Sequence, residues 1–158
     1  MKRRFLLLLV LVSLGFSACK KGDTINTDPS LVGTWKLPLP SIVDNTRTWE
    51  FQFKNNGTMQ FSIYYTDAAT GKVLGYYLKT IGRYKKLRTN RLQLYNVTNY
   101  SNDPTKGPYA AEADLIARST NATTDYTYFI NAGGKELDIT IDCPPNANCI
   151  GKLTYTKQ

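Results

Sequence analysis

From Leu31 to Lys157 apolar and polar residues alternate in short runs separated by turn-forming residues, and no stretch carries helical periodicity. In RTWEFQF (47–53), Trp49, Phe51 and Phe53 fall on one face and Glu50 and Gln52 on the other, which predicts a strand with one buried and one wet face. Asn55-Asn56-Gly57-Thr58 supplies the positive-φ residues of a tight turn. Met59, Phe61, Ile63 and Tyr65 then alternate with Gln60, Ser62 and Tyr64, so the two runs predict a hairpin.

The pattern continues through the rest of the chain. Asp67 to Gly71 turns into VLGYYLKTIGRYKKL (73–87), long enough for one bent strand or two short ones with Gly75 or Gly82 at the bend. Arg88-Thr89-Asn90 leads into RLQLYNV (91–97), with Leu92 and Leu94 inward. NYSNDPTKGP (99–108) reads as a polar loop broken by two prolines. In YAAEADLIAR (109–118) the alanines suit a helix, but the position between strands favours a strand. YTYFIN (126–131), Gly133-Gly134 and KELDITID (135–142) predict a late hairpin, and GKLTYTK (151–157) closes the series. The expected fold is all-β, with about 8–10 antiparallel strands that can hide their edges by closing into an up-and-down barrel.

Ahead of the strands the pattern changes. Lys2, Arg3 and Arg4 precede the apolar stretch FLLLLVLVSLGFSAC (5–19), which fits a cleaved signal peptide over residues 1–18. Its strictly apolar run, Phe5 to Val12, falls short of the about 20 residues that a spanning helix needs. The tail FSAC (16–19) resembles the lipobox of bacterial lipoproteins. That resemblance implies cleavage before Cys19 and thioether linkage of its sulfur to diacylglycerol; the alternative is an ordinary signal peptide with an incidental cysteine. Several acyl chains, each contributing roughly 0.8 kcal/mol per buried CH₂, would hold the protein on a membrane. Residues 20–30, KKGDTINTDPS, read as a polar, flexible tether, leaving 31–158 as one domain.

Cysteine usage agrees with an exported protein. With Cys19 assigned to lipid, Cys143 and Cys149 remain as a pair in CPPNANC (143–149), whose prolines and asparagines can turn the chain enough to join the thiols. A disulfide there is the expectation, and a free or reactive pair the alternative. The chain has no histidine, so triads of the Ser/His/Asp or Cys/His kind are excluded, and no metal or cofactor is expected.

The formal charge of +8 falls to +5 once the three basic residues of the signal leave. The local basic cluster RYKKLRTNR (83–91) is interleaved as in a strand with a solvated face. Export disfavours nucleic acid as a partner, whereas anionic headgroups or acidic glycans suit a thin positive charge.

LVGTWKL (31–37), WEFQFKNNGTMQF (49–61), GRY (82–84), RLQLY (91–95) and the pair ELDITI and KLTYTK together resemble the lipocalin-like domain of lipid-anchored proteins of Gram-negative bacteria. The strongest element is the opening G-x-W at Gly33 and Trp35. The resemblance implies an up-and-down barrel whose tryptophan packs beneath the first strand, and an internal cavity for a small apolar or amphipathic molecule.

Trp35, Trp49, Phe51 and Phe53 are read as core rather than ligand contacts. Candidate ligand-binding residues are Tyr64, Tyr77 (or its neighbour Tyr76), Tyr84 and Tyr95, because rings carrying hydroxyls suit sugars and amphipathic ligands. Glu136, Asp138 and Asp142 share a strand face and could serve carboxylate chemistry or touch calcium, although a solvated face explains them as well. The expectation is thus a monomeric, non-enzymatic binding protein, lipid-anchored at the outer membrane on its periplasmic or cell-surface side. The alternative is a surface interaction module for a glycan or a protein partner, including a hydrolase that it inhibits.

Overall fold

A computed structural model describes residues 26–40, 45–120, 123–142 and 151–158. Nine strands occur among them: β1 (Gly33–Pro40), β2 (Asn45–Phe53), β3 (Thr58–Asp67), β4 (Val73–Arg88), β5 (Arg91–Ser101), β6 (Ile116–Thr120), β7 (Thr124–Ile130), β8 (Glu136–Ile141) and β9 (Leu153–Lys157). All pairings are antiparallel, and β1-β2-β3-β4-β5-β7-β8-β9 closes on itself through β4–β5 and β9–β1. The protein is an eight-stranded up-and-down barrel with β6 as an added strand, consistent with a lipocalin-like fold.

The β2–β3 hairpin turns where Asn55-Asn56-Gly57 predicts, with Gly57 at φ +77°. One of two register shifts between β4 and β5 sets the course of β5. Its register against β4 shifts opposite Gly82, where Asn96 adopts φ +50°. A Cβ at Gly82 would lie 3.2 Å from both the Tyr95 carbonyl oxygen and Val97 Cγ2. Here β5 changes partner, pairing with β7 over Arg91–Leu94 and with β6 over Val97–Ser101. The extra residue lies on β5, and β4 runs as one strand from Val73 to Arg88 and not as two short ones.

Three sequence expectations need correction. The 99–108 loop begins only at Asn102, because β5 runs on to Ser101. Residues 109–118 are neither a helix nor mostly a strand: a 3-10 turn at Glu112–Asp114 precedes β6, and the segment is anchored to β4 by backbone hydrogen bonds between Tyr76 and Ala110. The stretch read as tether docks on the barrel from Asn26 onward. Asn26 Nδ2 donates to the Lys86 carbonyl, and Lys86 N donates to the Asn26 carbonyl at 2.6 Å.

One end of the barrel is filled. Trp35 is fully buried beneath β1, and its indole N–H donates to the Leu31 carbonyl at 2.7 Å, so the short 3-10 turn Pro29–Leu31 plugs the base. Lys157 Nζ lies 4.9 Å from the Trp35 ring centroid on the same strand pair. Tyr84, Leu92 and Leu137 complete the packed floor. The Tyr84 hydroxyl donates to the Lys54 carbonyl at 2.9 Å and its amide to the Gly57 carbonyl, bolting the β2–β3 turn onto the base.

Candidate functional site

The inward alternation that fills the base leaves a cavity of about 510 Å³ in the other half of the barrel. Its floor is made by Phe51, Met59, Leu94 and Tyr155, all members of the packed core. Above them stand Trp49, Phe61, Ile63 and Leu78 on β2–β4, facing Ile139, Ile141 and Leu153 on β8 and β9. Trp49 meets Phe61 edge to face at 6.0 Å, and Phe61 tilts against Phe51 at 4.6 Å, so one wall is continuous aromatic surface.

Four polar residues of the cavity, Thr80, Asn99, Thr124 and Tyr126, lie on β4, β5 and β7, and Tyr155 adds a phenol from β9. Thr80 and Asn99 are cross-strand partners, and the Thr80 hydroxyl donates to Asn99 Oδ1 at 2.7 Å. Thr124 and Tyr126 follow on β7. Burial raises the pKa of Tyr126; it also raises that of Tyr155, with the neighbouring Tyr126 adding to the effect. Both phenols are therefore neutral hydrogen-bonding groups at physiological pH. No charged side chain is among the described residues lining the cavity.

The four candidate tyrosines are dispersed and none lines this cavity. Tyr84 is fully buried in the base, where burial, then the charge of Asp28, pushes its pKa up to about 12. Tyr64 points outward and is buried against the outer face, donating to Glu50 Oε2 at 2.9 Å and packing on Tyr76 at 5.8 Å. Tyr77 is exposed on β4, and Tyr95 lies beneath Lys85, whose Nζ is 5.4 Å from the ring centroid. Phe51, a member of the packed core, and Trp49, packed against it, also line the cavity. The signal that could have found them is their place on the mouth side of the strand that carries Phe53 in the base.

The outer face of β2 also departs from expectation. Glu50 is buried, not wet: its carboxylate accepts from Tyr64 and from Gln52 Nε2 at 2.6 Å, and pairs with Lys36 at 3.4 Å. Burial and the hydrogen bond to Glu50 raise the Tyr64 pKa. The acids of β8, and Asp142 just after it, are held by neighbours. Asp138 accepts from Thr154 at 2.6 Å and pairs with Lys152, Glu136 accepts from Asn131, and Asp142 pairs with Arg91 and accepts from Thr127. They form no cluster with the spacing of a metal site among the described residues. Gly33 opens β1 and Trp35 is fully buried on the same strand. Cys19, Cys143 and Cys149 lie outside the described residues.

No protein-family model and no curated protein matches this chain. The fold and the cavity therefore carry the functional reading.

Proposed function

We propose that this protein is a binding protein that holds a small hydrophobic or amphipathic molecule within its barrel, without turnover. The observation that supports this most is the cavity of about 510 Å³, walled by aromatic and aliphatic side chains above a fully packed base. Its size falls within the range of roughly 300–1,000 Å³ that ligand pockets occupy, and its lining is mostly apolar with a few placed polar groups.

The N-terminal segment 1–19 supports placing it at the cell envelope, exported and lipid-anchored through Cys19. A tethered barrel suits capture at a membrane. Thermal denaturation across a panel of apolar lipids, amphiphiles and glycans tests the reading: a raised midpoint with one of the first two groups is expected, and no shift with any compound refutes ligand carriage. Membrane association that survives Cys19→Ser would refute the anchor.

A further inference from the structure

We infer that the cavity selects an uncharged ligand: an apolar molecule bearing a neutral hydrogen-bonding oxygen, such as an alcohol, ester or ketone, seated against Asn99. The inference deepens the reading of the cavity as a ligand site and rests on it. Two observations carry it. Among the described lining residues none is charged, so a carboxylate or ammonium drawn inside would lose its hydration without gaining a counter-ion.

The second observation is the state of Asn99. Its Oδ1 is occupied by the Thr80 hydroxyl, and its Nδ2 donates to no partner among the described residues. That nitrogen is also not a closed-off orphan, as Trp49 Nε1 is. An amide with N–H donors unpaired among the described residues therefore lines the apolar space, and the Thr124 hydroxyl lines it elsewhere, opposite Leu94. Donors of this kind call for an acceptor oxygen on the ligand. A pure hydrocarbon would leave them unpaired, and an ion would not be compensated.

Arg47, a cation set against the aromatic wall, gives the competing outcome. Its guanidinium lies 5.8 Å from the Trp49 ring centroid and is exposed, outside the lining of the cavity. If it governed binding, an anionic headgroup at the rim would win.

Chain-matched n-decanol, decanoate and n-decane, titrated into the purified protein at a pH where decanoate is ionised, distinguish these. Decanol is expected to bind about tenfold more tightly than either of the others, the size of one well-made buried hydrogen bond. Asn99→Leu should abolish most of decanol's advantage over decane, weakening decanol and tightening decane, because it removes the donors that decane leaves unpaired; Asn99→Val repeats the test should the first variant fail to fold. Decanoate binding as tightly as decanol, or a decanol–decane gap unaltered in the folded variants, would overturn the inference while leaving the cavity as a binding site. Failure of all three to bind would overturn both.

Discussion

The Tyr128 hydroxyl donates to Asp28 Oδ2 over 2.6 Å, joining the segment before β1 to the base-side half of β7. The same carboxylate pairs with Lys86 at 2.8 Å, and its other oxygen accepts from the Ser30 amide and hydroxyl. Asp28 thereby caps the 3-10 turn that carries Leu31 beneath Trp35 and ties that turn to β4 and β7 at once. Burial alone would raise its pKa, but the hydrogen bonds from Lys86, Ser30 and Tyr128 outweigh it and hold the carboxyl well below the usual range.

Removing this carboxylate should loosen the base. Asp28→Asn is expected to cost about 1–3 kcal/mol at neutral pH, as for hydrogen bonds to a charged group. The sign of its pH dependence follows from the depressed folded pKa. The stabilisation is present above the unfolded value of about 3.9 and is lost as pH falls through the folded value. Urea denaturation of both proteins should therefore show the gap narrowing on acidification, and a gap constant with pH would refute the assignment.

Gly33 and Trp35 act together at the floor. Gly33 adopts φ +133°, and a Cβ there would stand 3.0 Å from Lys157 Cε, the side chain whose ammonium covers Trp35. Gly33→Ala should destabilise by about 1–3 kcal/mol through backbone strain. Trp35→Phe removes the donor to the Leu31 carbonyl and part of the packed volume, and should cost about 2–4 kcal/mol. Denaturant midpoints measure both, and near-neutral effects would show that the floor is not built as described.

Gly75 governs the long β5–β6 connection. A Cβ there would lie 2.7 Å from the Ala110 carbonyl oxygen and from Tyr109 Cδ2, so Gly75→Ala must push residues 109–110 off β4. The loop's other ties, Asn102 N to the Tyr77 carbonyl and the Lys79–Glu112 ion pair, do not replace that contact. Hydrogen exchange at Tyr76 and Ala110 should accelerate markedly while exchange in β1, β2 and β9 stays slow. Uniform acceleration everywhere would point to global destabilisation instead.

The strands and their order were legible because period-two alternation and the Asn-Gly and Gly-Gly turns are local signals. The cavity was not. Phe53 in the floor and Trp49 in the upper wall share the same alternation on one strand, and only the closure of the barrel decides which faces neighbours and which faces space. Glu50 was misread for a related reason: a polar residue on the outer face is wet only if cross-strand neighbours leave it so, and Lys36 and Tyr64 do not. The docking of Asn26 and Asp28 depends on partners 60 and 100 residues away respectively, which no local pattern encodes.

The hollow upper half of the barrel is the central claim, and native mass spectrometry of the protein purified from its own host tests it most directly. Leu78→Trp supplies the control: Leu78 lines the cavity, and an indole there should occupy the space while leaving the packed base folded. The expected result is a small molecule released from the wild-type protein on collisional activation and absent from the filled variant. An identical ligand on both proteins, or none on the wild type together with no thermal shift by apolar or amphiphilic compounds, would contradict the account.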